Sequence, residues 1–377
     1  MGAALKSGRW IGFIFVFLAL FLPPLAYLFS RLARSWIETC AVALPSLFVL
    51  SFPLIVGRRA RGGGGAYWEK TTVKAAYLSM GLLSFLLVAS LLSDISGWLY
   101  GEKPPSIFAW SFSFALFALG TYQGIFGLKV RQIKVPIKNP YLNWNGLRIL
   151  QISDLHLNGH QGEDYVRKVV NKALALEFDL VAFTGDIGDG DAREFTRELG
   201  LLGSLRAKAP VFYVPGNHEV YWNFENWMQA FRDTGMEVLL NEGRSSMIGG
   251  KEVFIAGITD PACGVLGIGP DLEAASLTGK GSPLRILLSH RPDPAMQAAA
   301  SGFQLQLSGH THGGQFFPWT LVAAFVHRHS LGLYRVGEMW VYVSAGTGSW
   351  GPRLRLGTSP EITLLELYSE KTNSDSI

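Results

Sequence analysis

The chain has two different patterns of hydrophobic and polar positions. In the first third, four long apolar runs, almost free of charge, are separated by short polar loops. Each run has about 20 residues, the length that a helix needs to cross the hydrocarbon core of a bilayer. The pattern therefore predicts an α-helical transmembrane region over residues 1–128. The four spans cover approximately residues 10–29, 37–57, 75–93 and 107–128.

From Leu147 onward, short buried-type runs alternate with helical patterns. The runs at 147–153, 179–184 and 210–215 each precede a helical pattern, which predicts βαβ units and a largely parallel sheet. Further strands are expected at about 252–258, 284–289, 303–308, 339–345 and 361–367. One clear helix, at about 293–301, lies among them, which favours two sheets packed face to face with helices outside.

These patterns divide the chain into four parts. The α/β domain is expected over residues 147–369 and is preceded by a linker over 129–146, where proline and Asn-Gly pairs break regular structure. A polar tail follows over residues 370–377.

The charge is distributed unevenly between these parts. Residues 1–140 hold 14 basic and 4 acidic residues, whereas the rest of the chain holds 19 and 25, so the pI near 9.0 comes from the first part. Because the basic residues border apolar runs, the partner that they indicate is a membrane rather than a nucleic acid. The 2 cysteines cannot form a disulfide framework, which fits a reducing compartment.

Five segments each end an apolar run with a side chain that metals favour. They are Ser153-Asp154-Leu155-His156, Gly185-Asp186, Gly216-Asn217-His218-Glu219, Ser289-His290 and Gly309-His310-Thr311-His312-Gly313. Side chains that follow parallel strands can meet at the carboxyl edge of a sheet, so a metal site is expected there. The donors are nitrogen and oxygen with no thiolate, which favours Mn, Fe, Zn, Co or Ni. Asp189 and Asp191 are expected to cap the next helix.

In combination, these segments resemble the calcineurin-like metallophosphoesterase family over about residues 147–367, in a membrane-anchored form of bacterial type. The family pattern Asp-x-His, Gly-Asp, Gly-Asn-His-Asp/Glu, His and Gly-His-x-His is filled at every position, with Glu219 where Asp is common. The resemblance implies a four-layered α/β/β/α sandwich and two divalent metal ions. It implies that Asp186 bridges both ions, and it assigns Asp154, His156 and His312 to one ion and Asn217, His290 and His310 to the other.

The resemblance also implies hydrolysis of a phosphate ester or pyrophosphate by a water that two ions about 3.5–4 Å apart polarise to hydroxide. His218 is then either the proton donor to the leaving oxygen or a stabiliser of the transition state, while a packed histidine that supports Asn217 is the alternative. Arg353 and Arg355 lie in a segment that resembles the closing loop of the family and are candidates for phosphate contact.

An apolar segment after His312 suggests a lipid-linked substrate. Phe316, Phe317 and Trp319 surround a proline, which suits a loop better than a strand, and tryptophan favours the membrane interface. Ordinary buried core is one interpretation of so apolar a segment. The alternative that we expect is that it faces the membrane and guides a lipid-linked phosphate or pyrophosphate to the metals.

Two other classes of function remain open at this point. A membrane-tethered binding or scaffold module on an inactive phosphoesterase fold would usually lack ligands, and none is missing here. A transporter or channel would usually carry charge pairs inside its spans, and the predicted spans show none.

The loop charges predict a multi-pass protein of the cell inner membrane with both termini and the α/β domain in the cytoplasm. Eleven basic residues lie in the predicted inner loops and linker, against Arg31, Arg34 and Lys103 outside. A fluorescent reporter that folds only in the cytoplasm should therefore fluoresce when fused after Tyr368. Activity of a periplasmic phosphatase reporter fused at the same residue would contradict this orientation.

Overall fold

The computed structural model describes residues 2–60, 67–138, 146–158 and 161–369. The chain forms two compact units, one of Met1–Ile125 with Gly351–Leu356, the other of Phe126–Trp350 with Gly357–Ile377. The predicted polar tail 370–377 and residues 139–145 of the predicted linker lie outside the described residues.

The first unit is helical throughout its described N-terminal part. Its helices are α1 (Gly2–Leu32), α2 (Trp36–Ala60), α3 (Tyr67–Tyr100) and α4 (Ser106–Phe126). Among the described residues, three stretches are long and apolar enough to cross a membrane: Ile14–Leu32, Trp36–Ile55 and Thr71–Tyr100. The predicted apolar helical region is thus confirmed, and its fourth span corresponds to α4, which is not among these three.

The second unit contains the α/β domain, which was predicted from the short buried runs. Its strands in the described residues are β1 (Lys129–Ile137), β2 (Leu147–Ile152), β3 (Leu180–Thr184), β4 (Val211–Val214), β5 (Glu237–Val238), β6 (Glu242–Ile248), β7 (Lys251–Gly257), β8 (Arg285–Leu288), β9 (Leu305–Ser308), β10 (Gly332–Val336), β11 (Met339–Val343) and β12 (Glu361–Ser369). Its α-helices there are α5 (Glu163–Leu174), α6 (Thr196–Gly203), α7 (Asn217–Trp222), α8 (Phe224–Asp233), α9 (Leu272–Ser276), α10 (Ala295–Ala300) and α11 (Trp319–Val326). Short 3₁₀ turns occupy Ala192–Phe195, Ser204–Ala207, Pro261–Leu266, Leu277–Gly279 and His312–Gly314.

The strands form two six-stranded sheets. The order is β1-β12-β2-β3-β4-β5 in the first sheet and β10-β11-β9-β8-β7-β6 in the second. The strands from β2 to β5 are parallel, as are β7, β8, β9 and β11, whereas β12 runs antiparallel to β2. Parallel strands present their carboxyl ends at one edge, which is where open α/β sheets place their sites.

Three apolar layers show that the domain is an α/β/β/α sandwich. Ile149 and Phe212 of the first sheet share a core with Ile255 and Ile286 of the second, so the two sheets face each other. A second core lies between the first sheet and the helices α5, α6 and α8, and a third packs α10 on the outer face of the second sheet. The α5 helix buries one stripe at helical spacing, including Val166, Val169 and Ala173, as its amphipathic pattern requires.

The structure differs from the predicted elements in three places. Residues 129–137, predicted as a linker, form β1 at the edge of the first sheet, where Pro136 is tolerated because an edge strand can dispense with one N–H donor. The helical pattern predicted after the run at 179–184 is divided into α6 and two 3₁₀ turns, Ala192–Phe195 before it and Ser204–Ala207 after it. The segment after Pro318, predicted as a loop, is the α11 helix, because its Trp-Thr-Leu-Val-Ala-Ala-Phe-Val sequence contains no glycine or proline.

Candidate metal centre

The side chains predicted as metal ligands meet at the carboxyl edge of both sheets. Asp154 follows β2, Asp186 follows β3 and Asn217 follows β4, while His290 and His310 follow β8 and β9 of the facing sheet. The site therefore lies where the two parallel regions face each other, and residues more than 150 positions apart along the chain become neighbours.

Five of these residues have left-handed backbone conformations. The φ angles are between 50° and 70° at Asp154, His156, Asp186, His310 and His312. Non-glycine residues pay a steric cost in this region, and such strain is concentrated at functional sites, where the surrounding structure holds it in place. The sharp turns direct the side chains back over the strand ends and toward one another.

The first cluster consists of Asp154, His156 and His312, whose ligand atoms all lie within 4.8 Å of one another. Nε2 of His156 is 3.0 Å from Nε2 of His312, and Nε2 of His312 is 3.6 Å from Oδ1 of Asp154. The Asp154 carboxylate is fixed from behind, because it accepts hydrogen bonds from the Ser153 hydroxyl and from the His310 N–H. These are the residues that the family resemblance assigns to one ion together with Asp186.

The second cluster consists of Asp186, His290 and His310, again within 4.8 Å. His290 lies with Nδ1 at 2.8 Å from the carbonyl oxygen of Thr184, which directs its other nitrogen, Nε2, to within 3.2 Å of Oδ2 of Asp186. A hydrogen bond of this kind fixes the ring orientation and tautomer of a metal-binding histidine. Nδ1 of His310 lies 3.2 Å from the same Nε2 of His290.

Asp186 lies between the two clusters. Its Oδ2 is 3.2 Å from Nε2 of His290, 3.8 Å from Nε2 of His218 and 4.0 Å from Nε2 of His156. Burial would raise the pKa of this carboxyl, but His290 and His218 outweigh it and hold the pKa well below its ordinary value. Burial would likewise lower the pKa of His290, which Asp186 and Asp154 raise to about 10. The buried carboxylates thus favour a positive charge beside them, which a cation can supply in place of an imidazole proton.

Two glycines allow the ligand loops to pack this closely. A Cβ on Gly216 would lie 2.1 Å from Oδ1 of Asp186, and a Cβ on Gly309 would lie 2.1 Å from Oδ2 of Asp154. No other residue type fits at these positions without displacing a carboxylate. This explains physically why the motifs read Gly-Asn-His and Gly-His-x-His.

The donors fit a pair of cations. Two pairs of imidazole nitrogens face each other at 3.0 and 3.2 Å beside carboxylates, an arrangement suited to nitrogens whose lone pairs converge on a metal. The buried carboxamide oxygen of Asn217 accepts no hydrogen bond from any residue that the structure describes, so it remains available as a neutral ligand. The mixture of nitrogen and oxygen donors does not distinguish Mn, Fe, Zn, Co and Ni from one another.

His218 lies beside the two clusters, and its hydrogen-bond partner, Asp189, was not predicted from the sequence. Its Nδ1 forms a hydrogen bond with Asp189, which also lies 3.2 Å from Nδ1 of His156. Asp191 does cap the following 3₁₀ turn as predicted, but Asp189 does not, because its carboxylate points into the site. Burial would lower the pKa of His218, but Asp189 and Asp186 raise it to about 9. The available signal was an acidic residue three positions after Asp186, which is weak in a single sequence.

Glu219 is a buried carboxylate that fixes two ligand loops. Its two oxygens accept hydrogen bonds from the N–H groups of Asp186, Ile187 and Gly188 after β3, and from the N–H group of Gly216 after β4. The donor–acceptor distances are between 2.7 and 3.2 Å. Because a buried charge is tolerated only when its hydrogen bonds are satisfied, Glu219 and the two loops determine each other's positions.

The remaining candidates lie in different surroundings. Phe316 is buried and pairs with Gly357, Phe317 is partly buried, and Trp319 at the start of α11 is 40% exposed. Arg353 and Arg355 belong to the segment Gly351–Leu356 of the helical unit, where the N–H group of Arg355 donates to the carbonyl oxygen of Gly120. Contact of these five residues with a substrate stays a prediction.

Comparison with known proteins agrees with the motifs and the fold. The family described as Calcineurin-like phosphoesterase matches residues 147–314. An uncharacterized metallophosphoesterase of Campylobacter jejuni is 28% identical over 368 residues, covering 95% of this chain and 90% of the relative. A transmembrane protein with metallophosphoesterase domain of Bos taurus is 31% identical over 361 residues, covering 91% of this chain and 74% of the relative.

The chain belongs to the calcineurin-like metallophosphoesterase family. It combines the α/β/β/α domain of that family with an N-terminal region of helices suited to a membrane, and it shares this combination with relatives that are named as transmembrane proteins. The family typically binds a dinuclear metal centre, and the residue clusters described above can hold metal ions.

Replacement of Glu219 by Gln should destabilise the domain. The glutamine NH₂ group would face main-chain N–H groups, which are donors as well, so these donors would lose their acceptor. Each buried donor left without an acceptor lowers the free energy of unfolding by about 1–3 kcal/mol. We expect a lower melting temperature for the full chain in detergent, together with reduced metal content. Glu273→Gln on the exposed first turn of α9 is the matched control and should leave both values unchanged. A wild-type melting temperature for Glu219→Gln would show that the loops are held by other contacts.

Proposed function

We propose that this protein is a membrane-embedded hydrolase that cleaves a phosphate ester or pyrophosphate bond with two divalent metal ions. The observation that carries the proposal is the juxtaposition of the two clusters about Asp186, with ligand atoms from loops of both sheets brought together. One ion would be held by Asp154, His156, Asp186 and His312. The other would be held by Asp186, Asn217, His290 and His310.

When bound, the two ions would activate a water molecule as the nucleophile and neutralise charge on the phosphoryl oxygens. The residues of the chain hold this machinery in place. Oδ2 of Asp186 lies between His290 and His156, where it could serve both sides of the centre, and Glu219 fixes the main chain of Asp186. The orientation of His290 toward Asp186 is set by the Thr184 carbonyl. Such preorganisation avoids the reorganisation that solvent would require.

His218 is the residue to which we assign proton transfer. Its Nδ1 is held by Asp189, which directs Nε2 toward the same space as Oδ2 of Asp186, 3.8 Å away. In that orientation Nε2 can deliver its proton to the leaving oxygen of the ester. Asp189 acts as a positioning residue, because it holds the ring rather than the reacting atoms.

A lipid-linked phosphate or pyrophosphate is the substrate class that we propose. The helices suited to crossing a membrane belong to the same chain as the metal centre, so a lipid substrate would share the bilayer with the enzyme. We further propose that the protein resides in the cell inner membrane with the α/β domain in the cytoplasm, which the distribution of basic loop residues supports. The rival of an inactive scaffold is disfavoured because six of the seven predicted ligands fall in the two clusters of groups that could hold a metal ion.

Replacement of Asp186 by Asn should be the most damaging ligand change. It removes a negative charge from both clusters, so metal content and hydrolysis of chromogenic aryl phosphate mono- and diesters should fall together for the full chain in detergent with Mn²⁺. A chelator should abolish the wild-type activity. Asp191→Asn, five positions further along the same loop, is the matched control because Asp191 only caps a 3₁₀ turn and pairs with Arg193. A wild-type rate for Asp186→Asn would exclude the dinuclear assignment.

Replacement of His218 by Ala should separate metal binding from catalysis. We expect near-normal metal content, measured by inductively coupled plasma mass spectrometry, and a rate about 10²–10⁴-fold lower, the range for a lost general acid. Loss of one metal equivalent in this variant would instead identify His218 as a ligand or as a support for Asn217.

A further inference from the structure

The α11 helix carries its large apolar side chains on its outer surface. The exposed fraction is 93% for Phe325, 65% for Val326, 63% for Leu321 and 45% for Val322, whereas Ala323 is the buried residue of this helix. Thr320 is its one polar residue, and no residue of the helix is charged. Soluble surfaces rarely expose a contiguous apolar patch of this kind unless it binds a partner or a membrane.

Both ends of α11 are held against the metal centre. At the start, a Cβ on Gly314 would lie 2.2 Å from the carbonyl oxygen of Trp319, so the first turn packs directly on the loop that carries His312. Just beyond the end, the ring of His327 meets the ring of His310 edge-on, with 6.3 Å between the ring centroids. The apolar surface therefore has a fixed position next to the metal ligands.

A bilayer fits this surface better than a second copy of the chain. A helix of eight residues is about 12 Å long, which is too short to supply by itself the ~800 Å² per partner of a standard protein interface. Trp319 lies at one end of α11, leucine, valine and phenylalanine line the exposed face, and exposed Arg328 follows the helix. Tryptophan favours the membrane–water interface, and the aliphatic and phenylalanine side chains favour the acyl chains beneath it. Arg328 is suited to anionic headgroups.

We infer that α11 is an interfacial helix whose exposed face enters the boundary between headgroups and acyl chains. Leu321, Val322, Phe325 and Val326 contact the acyl chains, and Arg328 stays among the headgroups. The meaning of this contact for turnover rests on the proposed function. It would hold the metal centre near headgroup depth, where the phosphate or pyrophosphate of a lipid-linked substrate lies. The sequence predicted a membrane-facing surface of Phe316, Phe317 and Trp319. In the structure Phe316 is buried, and the exposed apolar residues are those of α11 that follow Trp319.

The test measures membrane depth and requires no catalysis. Phe325→Cys is introduced into the full chain with Cys40→Ala, while Cys263 stays because it is fully buried. The new thiol is labelled with an environment-sensitive nitrobenzoxadiazole probe, and the protein is reconstituted into vesicles of phosphatidylcholine and phosphatidylglycerol. Val322→Cys is a second label site on the same face. Met247→Cys is the matched control, because Met247 is an apolar side chain on β6 that is 70% exposed.

We expect emission at shorter wavelength for the probes at 325 and 322, with strong quenching by doxyl-labelled phosphatidylcholine and little by aqueous iodide. The probe at 247 should show the reverse. Equal iodide quenching at 325 and 247 would overturn the inference. Protection of the probe at 325 from both quenchers would also overturn the inference. The unlabelled Phe325→Cys variant would then be tested for a disulfide between two copies. A disulfide would identify a second copy of the chain as the occupant of this face, and no disulfide would identify packing within the chain. The fluorescence readout does not depend on hydrolysis. Failure of the proposed function in the test of Asp186→Asn would therefore leave this result unchanged.

Discussion

The candidate metal centre depends on the interactions of the Asp186 carboxylate with groups from both sheets. Its Oδ1 accepts a hydrogen bond from the main-chain N–H group of His218, which follows β4. Its Oδ2 lies 3.2 Å from Nε2 of His290, which follows β8. A single buried group therefore connects both sheets. Since an unpaired buried charge is strongly destabilising, the loops around Asp186 have little freedom to move apart. The same constraint accounts for Gly216, which leaves room for the carboxylate, and for Glu219, which binds the adjacent main chain.

The scaffold supports this arrangement through rigid strands and a continuous apolar core between the sheets. The predicted ligands lie on the turns just after the strands, where left-handed backbone conformations at five of them direct the side chains inward. Such strain is held only because the surrounding hydrogen bonds and packing over-determine the loops. Trp227 of α8 also holds the loop after β3 in place. It is fully buried, its ring covers Gly188, and its Nε1 donates a hydrogen bond to the carbonyl oxygen of Gly190. It thereby supports the loop that carries Asp189.

The helical unit gives this phosphoesterase domain a membrane context that relatives named as transmembrane proteins share. Metal-dependent phosphoryl chemistry requires little from the protein beyond positioning and electrostatics, so specificity must come from what surrounds the metals. In this chain the predicted metal ligands His310 and His312 are followed closely by α11, an apolar helix with a largely exposed face. Its contacts with the loop that carries His310 and His312 are the reason that we propose α11 as the link between a lipid phase and the candidate metal centre.

The sequence by itself determined the family, the apolar helical region, the sandwich and the seven metal-ligating candidates, because strand-end motifs and apolar runs are local patterns. Tertiary structure decided the rest. The linker segment became β1 because β12, more than 200 residues later, provides its pairing partner. Asp189 became the partner of His218 because β3 and β4 are adjacent, and its sequence position fits a helix cap equally well. The exposed face of α11 could not be predicted from a run of eight residues in which Thr320 is the one polar residue, since composition does not show which side chains a fold covers.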